Sequence, residues 1–240
     1  MKLIALLLAL AAGAHGTAAV ADPIPEDRLS YSVYKANPFS GKPAPTVMLA
    51  HGCNGIVRVQ TNDWVQDLNR WGYNAVVVDS LGPRGIDHFC KNQIPLRATD
   101  RMSEFYAVAK RIQNQSWHNG RLGLIGFSHG GSVGLALSAQ GQTFDAIVAY
   151  YPNCGRQQFV DRALKIKTQV HVSHGDTWTP IAHCANLTGV TESIVHQTAT
   201  HSWDVRAPDR VVVGEFLRYD ADAARISATA TRRFFEENLK

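Results

Sequence analysis

The chain has 240 residues, of which 45% are hydrophobic and 18% are charged. That length and balance suit one globular domain with a sizeable core, and they exclude a low-complexity or disordered chain. The formal net charge of +4 comes from dispersed lysines and arginines rather than from a basic block, so no nucleic-acid partner is implied.

The N-terminus has the pattern of a secretory signal peptide. Lys2 precedes the apolar run 3–14, which is too short to span a bilayer, and the small residues up to Ala21 predict cleavage after that residue. A retained amphipathic anchor is the alternative. No later apolar run has the length of a membrane span, so we expect a mature domain over 22–240 in the periplasm or secreted.

Strands and helices alternate along the rest of the chain. Residues 29–34 alternate between polar and apolar side chains, as an edge strand does, and apolar runs such as 46–50 and 75–78 are typical of buried parallel strands. This pattern predicts an α/β fold with a mostly parallel sheet and helices on both faces. Further predicted strands cover 122–127, 146–151, 167–173 and 192–197; predicted helices cover 64–71, 102–112, 132–139, a short stretch within 179–187, and 221–239.

A serine lies between two glycines where an apolar strand gives way to a helix of small residues, in the motif Gly126-Phe127-Ser128-His129-Gly130. A sharp, strained turn at this point would hold the Ser128 hydroxyl clear of the sheet, and it would leave room only for very small side chains two residues before and after. A solvated turn is the alternative interpretation of the motif by itself. The flanking strand and helix favour a nucleophile elbow.

A serine nucleophile needs a base, and the base needs a carboxylate that fixes its tautomer. Asp176 follows the strand 167–173 in a loop with Gly175 and Pro180, and His201 follows the last predicted strand. The carboxyl ends of parallel strands meet at one edge of a sheet, where ligands bind. We therefore predict Asp176 as the acid and His201 as the base.

The other histidines and carboxylates are less well placed for these roles. His171 and His196 lie inside predicted strands, and His129 and His174 directly adjoin the nucleophile and the acid loop. Asp145 precedes the predicted strand 146–151, so it lies at the wrong end of the sheet. Asp161 lies too far beyond the end of that strand. Asp79 follows a strand but precedes the nucleophile in the chain, so we interpret it as a residue that fixes its loop or faces the substrate.

The oxyanion that forms during ester cleavage needs two backbone N–H donors. The amide of His129, directly after the nucleophile, is one candidate, and the loop 51–55 after a buried strand offers the amide of Cys53 as the other. His51 is expected to anchor that loop by hydrogen bonds rather than to act as a base. Asn54, Arg84, Trp178 and Trp203 lie in loops that could line the pocket, although ordinary loop packing explains them equally well.

The four cysteines, Cys53, Cys90, Cys154 and Cys184, allow three disulfide pairings in an oxidising compartment. We favour Cys53 with Cys90 and Cys154 with Cys184, because each pair joins loops that leave the same end of the sheet. A metal site is disfavoured, because none of the four belongs to a Cys-x-x-Cys pair.

The motifs resemble the dienelactone hydrolase family of the α/β-hydrolase superfamily. The matching segments, His51-Gly52-Cys53-Asn54-Gly55, 79–85, 125–131, Gly175-Asp176 and His201, are spread over nearly all of the mature chain. The resemblance implies a compact α/β-hydrolase fold without a large cap, acting on esters or lactones through Ser128, Asp176 and His201. One departure is the nucleophile, because the namesake enzymes use a cysteine where this chain has a serine.

Together these features predict an exported serine hydrolase that forms an acyl-enzyme with a small ester or lactone and needs no cofactor. A prolyl-oligopeptidase-like peptidase shares the elbow, but such chains usually carry an additional propeller domain that 240 residues do not accommodate. A binding protein that keeps the fold with an inert triad is the non-enzymatic alternative.

Overall fold

The computed structural model describes residues 22–36, 41–90, 96–155, 158 and 161–240. The predicted signal peptide, residues 1–21, lies outside the described residues. In the described part of the chain, no helix is both long enough and apolar enough to cross a membrane.

A seven-stranded sheet forms the centre of the molecule, in the order β1-β3-β2-β4-β5-β6-β7. The first strand is antiparallel to β3 at one edge, and the other neighbours are parallel. The predicted mostly parallel sheet is thereby confirmed. Its strands are β1 (Ser30–Tyr34), β2 (Ala44–Ala50), β3 (Asn74–Asp79), β4 (His118–Phe127), β5 (Ala146–Tyr150), β6 (Lys167–Ser173) and β7 (Glu192–His196).

Four helices cover the two faces of the sheet, as predicted. Helices α2 (Met102–Gln113) and α3 (His129–Gln140) pack on one face, and α1 (Arg58–Arg70) and α4 (Ala221–Leu239) pack on the other. Central strands supply both cores because successive side chains point to opposite faces. Among the described residues no large cap covers the carboxyl ends of the strands.

Two elements differ from the sequence prediction. Helix α3 begins directly after Ser128 rather than at residue 132, since Gly130 and Gly131 continue the helix in a crowded place. A hairpin of β8 (Arg210–Val212) and β9 (Glu215–Leu217) was not predicted, and the expectation that β7 ends the strand series is wrong. Its turn places Val213 and Gly214 at positive φ, and a β-branched residue there hides the usual hairpin signal.

Two disulfides join loops at the carboxyl end of the sheet. Cys53 is bonded to Cys90, and Cys154 is bonded to Cys184, which are the two pairs favoured from the sequence. The backbone N–H of Phe89 also donates to the Cys53 carbonyl oxygen at 3.0 Å. The loop after β2 is therefore tied to the loop after β3 by a covalent bond and a hydrogen bond.

The turn between β4 and α3 places a serine in a strained conformation. Ser128 has φ 53° and ψ −118°, and its N–H donates to the Tyr150 carbonyl oxygen at 2.9 Å. A Cβ on Gly130 would overlap the Ala50 carbonyl oxygen, and one on Gly126 would overlap the backbone of Gly130. Helix α3 thus crosses the end of β2 in backbone contact, which only glycine permits at these positions.

Replacing Gly130 with alanine should lower the free energy of unfolding by about 3 kcal/mol or more, because rigid backbone rather than a flexible side chain blocks the new methyl group. Urea denaturation measures the loss. Gly134→Ala in the same helix is the matched control, since its methyl group would meet only side-chain carbons of Ile147 and Leu124, at 3.0 and 3.1 Å. Equal losses in the two variants would contradict the close crossing.

Candidate active site

Three side chains meet where β4, β6 and β7 end. His201 Nε2 lies 2.9 Å from Ser128 Oγ, and His201 Nδ1 lies 2.8 Å from Asp176 Oδ2. An ionised carboxylate only accepts hydrogen bonds, so Nδ1 is the protonated nitrogen and Nε2 is left to accept from the serine hydroxyl. This is the connectivity by which an imidazole activates a serine.

The turn after β6 holds the carboxylate in place. Asp176 Oδ1 accepts the backbone N–H groups of Trp178 and Thr179 at 3.0 and 2.9 Å, and Oδ2 accepts the Thr179 hydroxyl at 2.7 Å. A Cβ on Gly175 would come within 2.6 Å of the Thr198 carbonyl group, so the loops after β6 and β7 are in backbone contact. Sequence reasoning missed Thr179, although an aspartate followed three residues later by a hydroxyl is a recurrent local hydrogen-bonding pattern.

Aromatic rings enclose the imidazole of His201. The ring centroids of Tyr151 and Trp178 lie 4.7 and 4.9 Å from that of His201. The Tyr151 hydroxyl donates to Asp204 Oδ1 at 2.6 Å and accepts from Gln60 Nε2 at 2.7 Å. Burial, and then the charge of Asp204, raise the pKa of Tyr151 well above its usual value, so the phenol stays a donor. Neither Tyr151 nor Asp204 was predicted from the sequence.

The loop 51–55 lies against the nucleophile. A Cβ on Gly52 would stand 3.3 Å from Ser128 Cβ, which is close contact. The amide of Cys53 follows Gly52 directly, and the amide of His129 belongs to the first residue of α3, where N–H groups have no partner within the helix. The two amides predicted as oxyanion donors therefore belong to the two segments that border Ser128.

The imidazole of His51 anchors its own loop, as expected. Its Nε2 accepts the backbone N–H of Ser80 at 3.0 Å, so Nδ1 is the protonated nitrogen and donates to the Gly52 carbonyl oxygen at 2.7 Å. Burial, and then the charge of Arg101, lower the pKa of His51 well below its usual value. The ring is therefore neutral and held as a single tautomer.

The imidazole of His129 is fixed in the same way, beneath the nucleophile. Arg101 Nη1 donates to its Nδ1 at 3.0 Å, so Nε2 is protonated and donates to the Leu96 carbonyl oxygen at 2.9 Å. Burial, followed by the charge of Arg101, lowers the pKa of His129 to about 3. This side chain is structural, whereas its backbone amide belongs to the first residue of α3 and is the predicted oxyanion donor.

A cavity of about 40 Å³ lies beside Ser128. Asn54 and Trp178 line it, in agreement with their predicted positions. Sequence reasoning did not anticipate Arg210 and Leu217 from the β8–β9 hairpin, which line the same cavity. The volume is far below that of a pocket for a drug-sized ligand.

Two residues that were predicted to line the pocket, Trp203 and Arg84, do not line this cavity. Trp203 is completely buried, donates from Nε1 to Ser227 Oγ at 3.2 Å, and belongs to the core between the sheet and α4. The Arg84 side chain is only 4% exposed and is paired with the buried Glu104 beneath its loop. Arg84 also donates from Nη1 to the Ser80 carbonyl oxygen at 2.7 Å, so it stabilises the loop rather than lining this cavity.

The remaining candidates take structural positions. The ring of His171 is buried and stacks on Tyr150 at 4.3 Å, and His196 bonds to a serine of α4. Asp145 is paired with Arg121 at the opposite end of the sheet. Asp79 Oδ1 accepts the backbone N–H groups of residues 81 and 82, so it fixes its loop.

Within the described ranges, no group of three histidine, cysteine, aspartate or glutamate side chains is arranged to hold a metal ion.

Acid should destabilise the protein partly through His129. Between pH 6.5 and about pH 3 the unfolded chain protonates this imidazole while the folded chain keeps it neutral. The unfolded state therefore binds more protons, and the free energy of unfolding decreases as the pH is lowered. His129→Asn should lessen that decline by up to about 1.4 kcal/mol per pH unit. Urea denaturation from pH 7 to 4 measures the slopes. The exposed His183→Asn is the control, and a slope unchanged by His129→Asn contradicts the neutral assignment.

Comparison with solved structures gives the same fold. A dienelactone hydrolase from Anabaena variabilis superimposes with a TM-score of 0.65 at 17% identity, covering 88% of this chain and 93% of that one. Est1E from Butyrivibrio proteoclasticus, solved with ferulic acid bound, gives 0.63 at 14%, covering 90% and 98%. The carboxylesterase Cest-2923 from Lactobacillus plantarum gives 0.62 at 14%, covering 87% and 92%.

Sequence comparison assigns the family. No curated protein sequence matches the chain. The sequence model of the dienelactone hydrolase family matches residues 31–239. This range includes the seven strands of the central sheet, except the first residue of β1, and the helices α1 to α4. The chain therefore belongs to the dienelactone hydrolase family, as its motifs predicted.

Proposed function

We propose that this protein is an exported serine hydrolase that cleaves carboxylic esters or lactones through an acyl-enzyme. The observation that supports it most directly is the hydrogen-bonded chain from Ser128 Oγ through His201 to Asp176, with distances of 2.9 and 2.8 Å. A serine hydroxyl is a poor nucleophile unless a base takes its proton, and a neutral imidazole oriented by a carboxylate is such a base.

In the acylation step, Ser128 Oγ attacks the ester carbonyl carbon while its proton passes to His201 Nε2. The imidazolium is stabilised by Asp176, and the carbonyl oxygen, now an oxyanion, accepts from the amides of Cys53 and His129. When the tetrahedral intermediate collapses, the bond to the alkoxy oxygen breaks, and His201 returns the proton to the leaving alcohol. The products are the free alcohol and an acyl ester on Ser128.

Deacylation repeats these steps with water as the nucleophile. His201 Nε2 takes a proton from water as the water oxygen attacks the acyl carbonyl carbon, and the same two amides hold the second oxyanion. Collapse then breaks the bond to Ser128 Oγ, which recovers its proton from His201. A carboxylic acid leaves and the enzyme is restored.

Export is the part of the proposal that rests on residues 1–21 and on the cysteines. The mature domain would comprise residues 22–240, in the periplasm or outside the cell. All four cysteines form disulfides, and disulfides persist in oxidising compartments. The two bonds are compatible with that location.

Replacing Ser128 with alanine should abolish hydrolysis of p-nitrophenyl acetate while the thermal unfolding curve stays unchanged, because only the nucleophilic oxygen is removed. Intact mass measured after treatment with a fluorophosphonate should show one adduct on the wild type and none on Ser128→Ala. The control is Ser132→Ala, one turn further along α3, which should keep the adduct. Absence of an adduct on the wild type would indicate the inert binding protein instead.

The small cavity predicts a preference for short acyl groups. With p-nitrophenol as a constant leaving group, kcat/KM for the acetate should exceed that for the octanoate by about 10-fold or more, because a two-carbon acyl group fits a space of about 40 Å³ better than an eight-carbon chain does. Rates on Ser128→Ala serve as the blank for each ester. An octanoate rate equal to or above the acetate rate would contradict the assignment of this cavity as the acyl site.

A further inference from the structure

A charged side chain lies completely buried beneath the two loops of the proposed oxyanion hole. Arg101 has no exposed surface, and its Nη1 donates to the His51 carbonyl oxygen and to His129 Nδ1, both at 3.0 Å. Nη1 has two N–H groups, so each partner receives its own hydrogen bond. Among the described residues, Nε and Nη2 of Arg101 have no hydrogen-bond acceptor.

Arg101 carries a positive charge in addition to donating these hydrogen bonds. Burial lowers its pKa to about 10, so the guanidinium remains protonated at neutral pH. Glu104, itself buried and paired with Arg84, supplies nearby negative charge. Burying a charge is a poor way to gain stability, because the loss of hydration offsets most of the attraction. The hydrogen bonds of Arg101 therefore suggest a role other than stabilising the fold.

Its two partners belong to different parts of the chain that must be held at a fixed separation. His51 lies two residues before Cys53, and His129 itself bears the second proposed donor amide. Both imidazoles are fixed tautomers. Both ring nitrogens of His51 are bonded to backbone, at Gly52 and Ser80, and the Nε2 of His129 is bonded to the Leu96 carbonyl oxygen. A single nitrogen atom of Arg101 thus links the two segments directly.

We infer that Arg101 is a positioning residue that sets the distance between the amides of Cys53 and His129. An oxyanion is stabilised only when both donors lie about 2.7–3.1 Å from the oxygen. A displacement of about 1 Å can cost on the order of 100-fold in rate. Arg101 contacts neither substrate nor the reacting atoms, so its effect on catalysis passes through these two amides.

The inference rests on the proposed function, and a pair of substrates tests it separately. Sulfur is a weak hydrogen-bond acceptor and larger than oxygen, so a thionoester gains little from the donors that stabilise an oxyanion. In Arg101→Met, kcat for an oxoester should fall by about 10-fold or more while kcat for the matching thionoester changes little. The ratio of the two kcat values should therefore fall by about the same factor, with little change in KM for either.

Two further variants cover the case in which Arg101→Met does not fold. Arg101→Lys keeps the charge and three donors on one nitrogen, but its side chain is shorter, so it should hold the two partners less closely and the ratio should fall to an intermediate value. His129→Phe keeps a ring of similar size and removes the acceptor, so the ratio should fall as in Arg101→Met. Ser138→Ala is the control for general destabilisation, because it removes a buried hydrogen bond to Thr168 at the far end of α3.

The outcomes separate the two proposals. A fall of the ratio in the Arg101 and His129 variants, with the ratio unchanged in Ser138→Ala, supports the positioning role. Equal losses on both substrates, in folded variants of an active wild type, overturn the positioning role and leave the serine mechanism intact. A wild-type protein that hydrolyses neither substrate and gains no fluorophosphonate adduct overturns the proposed function, and the positioning role with it.

Discussion

The backbone contact between the first turn of α3 and the end of β2 is the constraint on which the candidate site depends. Gly130 lies so close to the Ala50 carbonyl group that no side chain fits between them. Because of that contact, the loop after β2 and the turn after β4 meet at one place. Gly52 then touches Ser128, and the two segments with the proposed oxyanion donors are adjacent before any substrate binds. The strain at Ser128 is tolerated because the packing around it fixes the backbone.

Buried polar groups continue this arrangement below the site. Two neutral imidazoles and one guanidinium link three loops, and each imidazole uses one nitrogen as donor and the other as acceptor. Asp176 and Tyr151 are fixed similarly, by Thr179 and by Asp204. Polar networks of this kind cost stability when a partner is missing and rigidify the fold when all partners are present. In this network the Nε and Nη2 of Arg101 have no acceptor among the described residues, and the other groups are paired, so Ser128, His201 and Asp176 are held in place without substrate.

Much of this could be predicted from the sequence, for identifiable reasons. Apolar runs and helical spacing predicted the sheet and its helices, because burial on two faces leaves a clear pattern along the chain. Gly126, Gly130 and the position of Asp176 after a strand are local signals, so they identified the elbow and the acid loop. The cysteine pairs followed from which loops leave the same end of the sheet.

The residues that were missed or misplaced depend on contacts between distant segments. Tyr151 meets Asp204 and His201 only after folding, and no local pattern marks a tyrosine as a hydrogen-bond donor beside that histidine. Thr179 is the exception, because its bond to Asp176 is local. Trp203 lies two residues after the predicted base, yet its ring turns into the core against α4. Arg101 lies four residues before the buried Phe105, but no local pattern shows that the guanidinium itself is buried between two loops. The sequence therefore predicts which loops lie close together, but not which of their side chains are buried.

The proposed nucleophile also fits its surroundings chemically. Ser128 borders Gly52, and Gly52 precedes Cys53, which is one half of a disulfide. A cysteine at position 128, activated by His201, would be a thiolate next to the residue that precedes Cys53, and thiolates attack disulfides through mixed-disulfide intermediates. In an oxidising compartment such a thiolate would also be exposed to oxidation. A serine hydroxyl undergoes neither reaction, so an oxygen nucleophile is compatible with the disulfide that ties down the proposed oxyanion loop.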